Sequence, residues 1–361
     1  EDLGATMVWG TQQTNLFPGA RVDGVFAMWY GKGPGVDRCG DVFKHANAAG
    51  TSRHGGVLAL AADDHACRSS TLPHGSEDEF VSAMMPVLNP AGVQDILDLG
   101  LVGWAMSRYT GRWIGFKTIA ETVESSASVQ VDPFARQIVL PGDFELPPGG
   151  LNIRWPDPPM EQEMRLHRYA VRAAQAFARA NGIDRIVLDS PRARLGIVTT
   201  GKSYLDVLQA LEYLGLDEAA CRDIGIRVYK VGMTWPLEPQ GIEKFARGLE
   251  DIVVVEEKRA FIERQMKEQF YNWPAEWGRR PSIVGKYDEA GEWILPSTGE
   301  LTPATIAGVI GRRIQRFPLP SGAFAESIEQ RLRWMDAKEA EMALPRANFP
   351  RVPHYCSGCP H

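Results

Sequence analysis

Short apolar runs alternate with stretches of helical periodicity along most of the 361 residues. Residues 1–17 read as a helix. The run GVFAMWY at Gly24–Tyr30 is short and aromatic, as a buried strand is. A glycine-rich turn spans Gly31–Arg38, and residues 37–49 are predicted helical with Asp37 at the N-cap. GVLALAA at Gly56–Ala62 is a second strand, ending on the polar cluster Asp63-Asp64-His65. Ser76-Glu77-Asp78-Glu79 spells a capping box opening a helix to about Met85. Residues 91–109 predict a long helix and Trp113–Ile119 a further strand.

Six prolines fall within residues 141–159, where missing amide donors rule out a helix or a central strand, so this is a linker. A second series follows. A helix at 160–181 leads to strand Arg185–Leu188, and strand Leu195–Thr200 to a helix at 202–214. Strand Arg227–Val231 leads to a helix at 241–249, then strand Ile252–Val255 and a helix at 260–271. Residues 302–316 and 321–343 predict two more helices, and Pro345–Pro353 a second linker. Such alternation is the pattern of an α/β protein with mostly parallel sheets covered on both faces. Ligands gather at the carboxyl ends of strands in such sheets, which directs attention to the loops at 31–38 and 63–75.

Composition narrows the function classes. At roughly 150 residues per domain the length predicts two domains. Lys and Arg total 39 against 45 Asp and Glu, a net charge of −6, and 44% of residues are hydrophobic. Mild acidity argues against nucleic acid or an anionic membrane as partner. No run approaches the ~20 apolar residues of a membrane span. Five cysteines, an odd number in a long chain, fit a reducing cytoplasm better than a secreted disulfide framework. The chain opens inside a helix on Glu1 and stops on Tyr355-Cys-Ser-Gly-Cys-Pro-His361, so it reads as an internal piece of a larger polypeptide.

Several constellations carry candidate chemistry. Gly196–Ser203 fits G-x-x-x-x-G-K-S, the spacing of a phosphate-binding loop. The residues between its glycines are β-branched, however, which favours strand, glycine turn and helix. The glycines of 31–35 allow close backbone approach to a ligand, and Lys32 and Arg38 beside them suit a carboxylate. Asp63, Asp64, His65 and His74 lack the spacing of a metal site and read as turn formers that line a pocket. Cys356 and Cys359, three apart, suit zinc, an iron–sulfur cluster or a disulfide, and supply half of any four-ligand site. Cys39, Cys67 and Cys221 have no such spacing and read as packing residues.

The stretches WYGKGPGVDRCGDVFKHANAAGTS (29–52), ALAADDHACRSSTLPHGSE (59–77), ETVESSASV (121–129), LPPGGLNIRWPDPP (146–159), LGIVTTGKSYLDV (195–207), KVGMTWPLEP (230–239), VVVEEKR (253–259) and YCSGCPH (355–361) carry a resemblance. In order, and over essentially the whole chain, they resemble the fused indolepyruvate ferredoxin oxidoreductases. These are members of the thiamine-diphosphate-dependent 2-oxoacid:ferredoxin oxidoreductases. The resemblance implies two consecutive three-layer α/β domains. Residues 1–150 would be a pyrimidine-binding domain lacking its N-terminal part, and 151–159 a proline-rich linker. Residues 160–318 would be a transketolase C-terminal-like domain. Residues 319–361 would be a helical linker and the start of a diphosphate-binding domain.

The implied chemistry is oxidative decarboxylation of an arylpyruvate to the acyl-CoA, with coenzyme A, ferredoxin and a homo-oligomeric assembly as partners. The implied cofactors are thiamine diphosphate, Mg²⁺ and a [4Fe-4S] cluster, all completed outside this chain, so that the piece alone would be inactive. In the family an acid on an early helix meets N1′ of the cofactor's aminopyrimidine, and Glu1 falls there. Cys356 and Cys359 match two of four cluster ligands, and His361 beside them is carried over as a cofactor contact. Lys32, Arg38 and His65 are expected to grip the 2-oxoacid carboxylate. Two rival readings stand beside this one: a P-loop nucleotide-binding protein, and a non-catalytic scaffold or subunit-contact module.

Overall fold

The computed structural model describes residues 1–132, 134 and 136–342. In chain order the first half contains α1 (Asp2–Gln12), β1 (Phe26–Lys32), α2 (Gly33–Arg38), α3 (Gly40–Ala49), β2 (Gly56–Asp63), α4 (Glu77–Ser82), β3 (Val87–Leu88), α5 (Val93–Thr110), β4 (Ile114–Ile119) and α6 (Ala120–Val123). After a long connection come α7 (Pro159–Arg165), a π turn at Leu166–Ala170, α8 (Val171–Ala180), β5 (Arg185–Leu188), β6 (Leu195–Thr200), α9 (Gly201–Tyr213), α10 (Glu218–Ile224), β7 (Ile226–Val231) and β8 (Met233–Trp235). The chain continues through α11 (Pro239–Ala246), β9 (Asp251–Val255), α12 (Ile262–Phe270), β10 (Ser282–Val284), α13 (Pro303–Ile314) and α14 (Gly322–Met342).

Two five-stranded sheets form, in the orders β1-β2-β4-β3-β8 and β10-β9-β6-β7-β5. All pairs are parallel except β3–β8 and β5–β7. Each sheet is the middle of three layers. Period-2 alternation in β2 sends Val57, Ala59 and Ala61 toward Ala5, Phe43 and Phe80 of α1, α3 and α4, and Leu58 toward α5. In the second sheet, Ile197 and Val253 face Val207 of α9 and Ile306 of α13, while Val198 and Val254 face Ile242 of α11 and Ile262 of α12.

The halves interlock. Ala174 and Phe177 of α8 pack on Leu58, Leu88 and Phe116 of the first sheet, so a helix from after the proline linker covers a face from before it. β8 leaves the second half and pairs with β3, and Asn89 N donates to Gly232 O at 2.9 Å. Among the described residues no helix is long and apolar enough to cross a membrane.

Three local expectations change. The helix predicted at 37–49 is two helices that break at Cys39, with Pro34 in the first turn of α2. Asp37 therefore lies inside α2 and caps nothing. Ser76 starts α4 without a side-chain cap, because its hydroxyl is engaged elsewhere.

Candidate functional site

The carboxyl ends of β1 and β2 carry the first group of candidate residues. β1 stops at Lys32 and the chain turns at once into α2 through Gly33-Pro34-Gly35. Proline suits a first helical turn because its missing amide proton has no partner there. A Cβ on Gly35 would come within 2.8 Å of Glu1 Cγ, so the Glu1 side chain lies directly on the α2 backbone. Arg38 Nη1 stands 3.6 Å from Glu1 Oε2, and the Glu1 side chain is 45% exposed. Its carbonyl accepts from Trp29 Nε1 at 3.2 Å and from Ala5 N at 2.9 Å.

A line of charges runs inward from α2. His74 Nε2 is 3.0 Å from Asp37 and its Nδ1 is 3.4 Å from Asp63, the last residue of β2. Asp63 also accepts from Ser76 Oγ at 2.6 Å and Ser76 N at 2.9 Å, and Lys117 Nζ is 3.6 Å away. Lys117, buried in β4, bonds Glu77 as well. Hydrogen bonding to Asp63 and then Asp37, against partial burial, lifts the His74 imidazole to about 9. Burial opposes the charge of Asp63, but His74, Lys117 and Ser76 outweigh it and hold the carboxyl well below its usual range. At neutral pH this is an imidazolium between two carboxylates.

Deeper still, the carboxyl ends of both sheets meet. His65, Asn89, Lys117, Thr200, Lys202 and Glu257 line a cavity of about 20 Å³, room for one water. His65 is 2% exposed, lies 4.0 Å from Glu257, and has no hydrogen-bond partner at either ring nitrogen. Burial, then Lys117, pushes its imidazole well below the ordinary range, so it is neutral. Glu257 follows β9 and is 3.7 Å from Lys202, which bonds Asp206 at 2.6 Å and Leu301 O at 3.2 Å. Lys258, at φ 55°, donates to His65 O in the first half and to Gly299 O in the second. Beside it opens a cleft of about 530 Å³, with Asp37, His74, Glu77, Glu257 and Lys258 among its walls.

The structure sets Arg38 beside Glu1, turns Lys32 to Ser69, and encloses His65 elsewhere. Lys32 Nζ donates to Ser69 O, and Arg38 is exposed beside Glu1. His65, expected to reach a substrate, is instead enclosed where the two sheets meet, and only a group inside that small cavity can touch it. Asp64 accepts from Arg68 N and Ser69 N at 2.8 and 2.7 Å, a turn former as its type suggests. Cys39 and Cys221 are buried, and Cys67 Sγ faces Ser70 O. Cys356, Cys359 and His361 lie outside the described residues. Among the described residues no three His, Cys, Asp or Glu are grouped to hold a metal.

Residues 196–201 do not wrap a phosphate. Gly196–Thr200 are extended in β6, and all six residues of that strand are buried. Gly201 takes φ 53° to start α9, and Lys202 is held by Asp206 and Glu257. The joining roles of His74, Lys117 and Glu257 are not legible in the sequence. A lysine inside the apolar strand IGFKTI was the available signal, since a buried ammonium needs carboxylates near it.

Residues 184–344 match the family model of the indolepyruvate ferredoxin oxidoreductase middle domain. Over 344 residues, 94% of this chain, the sequence is 26% identical to indolepyruvate oxidoreductase subunit IorA of Pyrococcus abyssi. The chain is similar to the indolepyruvate ferredoxin oxidoreductases over most of its length. The subunit of the same name from Methanothermobacter marburgensis is 24% identical over 351 residues, covering 95% of this chain. The chain spans about half the length of these curated relatives, 48% and 49%. A solved 2-oxoglutarate:ferredoxin oxidoreductase from Magnetococcus marinus, holding 2-oxoglutarate, coenzyme A and succinyl-CoA, superposes with a TM-score of 0.53 at 14% identity. It covers 86% of this chain and 55% of its own, and it shares the fold.

Proposed function

We propose that this chain forms part of a 2-oxoacid:ferredoxin oxidoreductase acting on an arylpyruvate such as indolepyruvate. On this reading the acyl group passes to coenzyme A and the electrons to ferredoxin. The first half is then the pyrimidine-binding domain and residues 160–318 the transketolase C-terminal-like domain. The observation that carries the reading is the seat of Glu1: a half-exposed carboxylate at a strand's carboxyl edge, lying on a glycine helix that leaves its far side open.

That seat fits a flat heteroaromatic ring. Gly35 lets the backbone lie against the Glu1 side chain with nothing interposed, and the carboxylate reaches the surface. Thiamine diphosphate, when bound, would supply the nucleophilic carbon for chemistry at the 2-oxo group. Glu1 would hold the proton shared with N1′ of the aminopyrimidine. Trp29 and Ala5 anchor the Glu1 carbonyl and so fix its backbone. Arg38 and Lys32 are the proposed grips for the substrate carboxylate, Arg38 being the more open of the two. The diphosphate and Mg²⁺ would be held by residues outside this chain, and Cys356 and Cys359 would be two ligands of a [4Fe-4S] cluster, with His361 at the cofactor. Glu1→Gln in the complete enzyme is expected to abolish exchange of the thiamine C2 proton while the fold persists by circular dichroism. Exchange near the wild-type rate would reject the role.

A further inference from the structure

α2 has two working sides. Gly33 and Asp37, four apart, face His74: a Cβ on Gly33 would come within 2.0 Å of His74 Nδ1, and Asp37 accepts from Nε2 at 3.0 Å. Gly35 and Arg38, three apart, face Glu1: a Cβ on Gly35 would meet Glu1 Cγ at 2.8 Å, and the Arg38 guanidinium is 3.6 Å from its carboxylate. The helix is six residues long and cannot be held by its own hydrogen bonds alone. Its hold comes from the ends of these contacts. On the inner side that hold is Asp63, buried and tied to Ser76 and Lys117.

We propose that His74 is a positioning residue whose imidazolium clasps α2 to the end of β2 and thereby sets Gly35 and Arg38 against Glu1. The clasp opens when the ring loses its proton, because a neutral imidazole can donate to only one of its two carboxylates. The charges facing the ring are Asp37 of α2, Asp63 of β2, Lys117 of β4 and Glu77 of α4, with Glu257 and Lys258 across the cleft. Hydrogen bonds to Asp63 and then Asp37, against partial burial, place the transition at about 9. Only the catalytic consequence rests on the reading of Glu1 given above; the clasp belongs to this chain without cofactor.

The test uses the cofactor-free chain with ¹³C-labelled tryptophan rings. Trp29 donates to the Glu1 carbonyl and so reports on that seat. In the wild type the Trp29 ring resonances are expected to shift with a midpoint matching the His74 ring, near pH 9, and that shift should vanish in His74→Gln. At pH 7, amide exchange across residues 35–39 should be at least tenfold faster in His74→Gln and in Asp37→Asn. Asp37→Asn keeps the His74–Asp63 pair, so it remains informative if His74→Gln fails to fold. Unchanged α2 exchange in Asp37→Asn, or a Trp29 transition that survives in His74→Gln, would overturn the clasp. If both clasp measurements come out as expected while Glu1→Gln of the complete enzyme exchanges its C2 proton normally, the Glu1 role alone is rejected.

Discussion

At the scale of single residues, the ionic line behind α2 should make stability depend on pH in the alkaline range. His74 has a folded pKa of about 9 against 6.5 for a free imidazole. Its contribution is therefore complete below pH 6.5 and is lost as pH rises through about 9, a loss on the order of 2–3 kcal/mol. Thermal melting of the wild type is expected to drop by several degrees between pH 7 and pH 10, and His74→Gln should start lower and vary less over that range. Gly33→Ala tests the same spot by volume. Its new Cβ would overlap the His74 ring, so the ring must leave or the helix must shift, at a cost of about 1–3 kcal/mol measurable by urea denaturation. None of this was legible from the residues singly. Asp37, Asp63 and His74 are ordinary loop and helix-end types, 26 and 11 residues apart (63 − 37 and 74 − 63), and only folding joins them.

Among the elements, β6 and α9 separate a motif from its chemistry. Gly196–Ser203 has the letters of a phosphate loop, but β-branched Ile197, Val198, Thr199 and Thr200 prefer the extended backbone they adopt. Gly196 is needed for packing: a Cβ there would meet Leu249 at 2.5 Å and Phe245 at 2.7 Å. Gly196→Val is expected to destabilise by about 1–3 kcal/mol. Lys202→Ala should lower the melting temperature, because it strands Asp206 and Glu257, and ATP should bind neither form in calorimetry. Tight ATP binding abolished by Lys202→Ala would restore the nucleotide reading. Long, strongly periodic elements such as α5 were predicted to within a residue or two, since apolar spacing decides burial. The capping box at Ser76 failed because a buried carboxylate, Asp63, competes for the same hydroxyl. The helix break at Cys39 failed to show because Pro34 moves the helix start forward to Gly33.

For the whole molecule, the interlocked halves matter most. α8 covers one face of the first sheet and β8 extends it. Residues 1–158 expressed alone would expose Leu58, Leu88 and Phe116, so that piece is expected to bind a hydrophobic dye strongly and to show no cooperative melting. The full 361-residue chain should give one calorimetric transition. Two well-separated transitions would mean that the halves fold independently. Lys258, bonded to both halves from a left-handed backbone, is one of the polar ties across this junction.

The sequence by itself determined the α/β class, the alternation of strand and helix, and the family resemblance. These depend on local periodicity, turn residues and motif spelling, all of which are properties of contiguous chain. The tertiary structure alone decided that His65 is enclosed and not at the surface, that α8 and β8 serve the first sheet, and that α2 links His74 to Glu1. Burial, the pairing of distant charges and the close approach of backbones through glycine depend on neighbours in space, and spacing along the chain carries no measure of them.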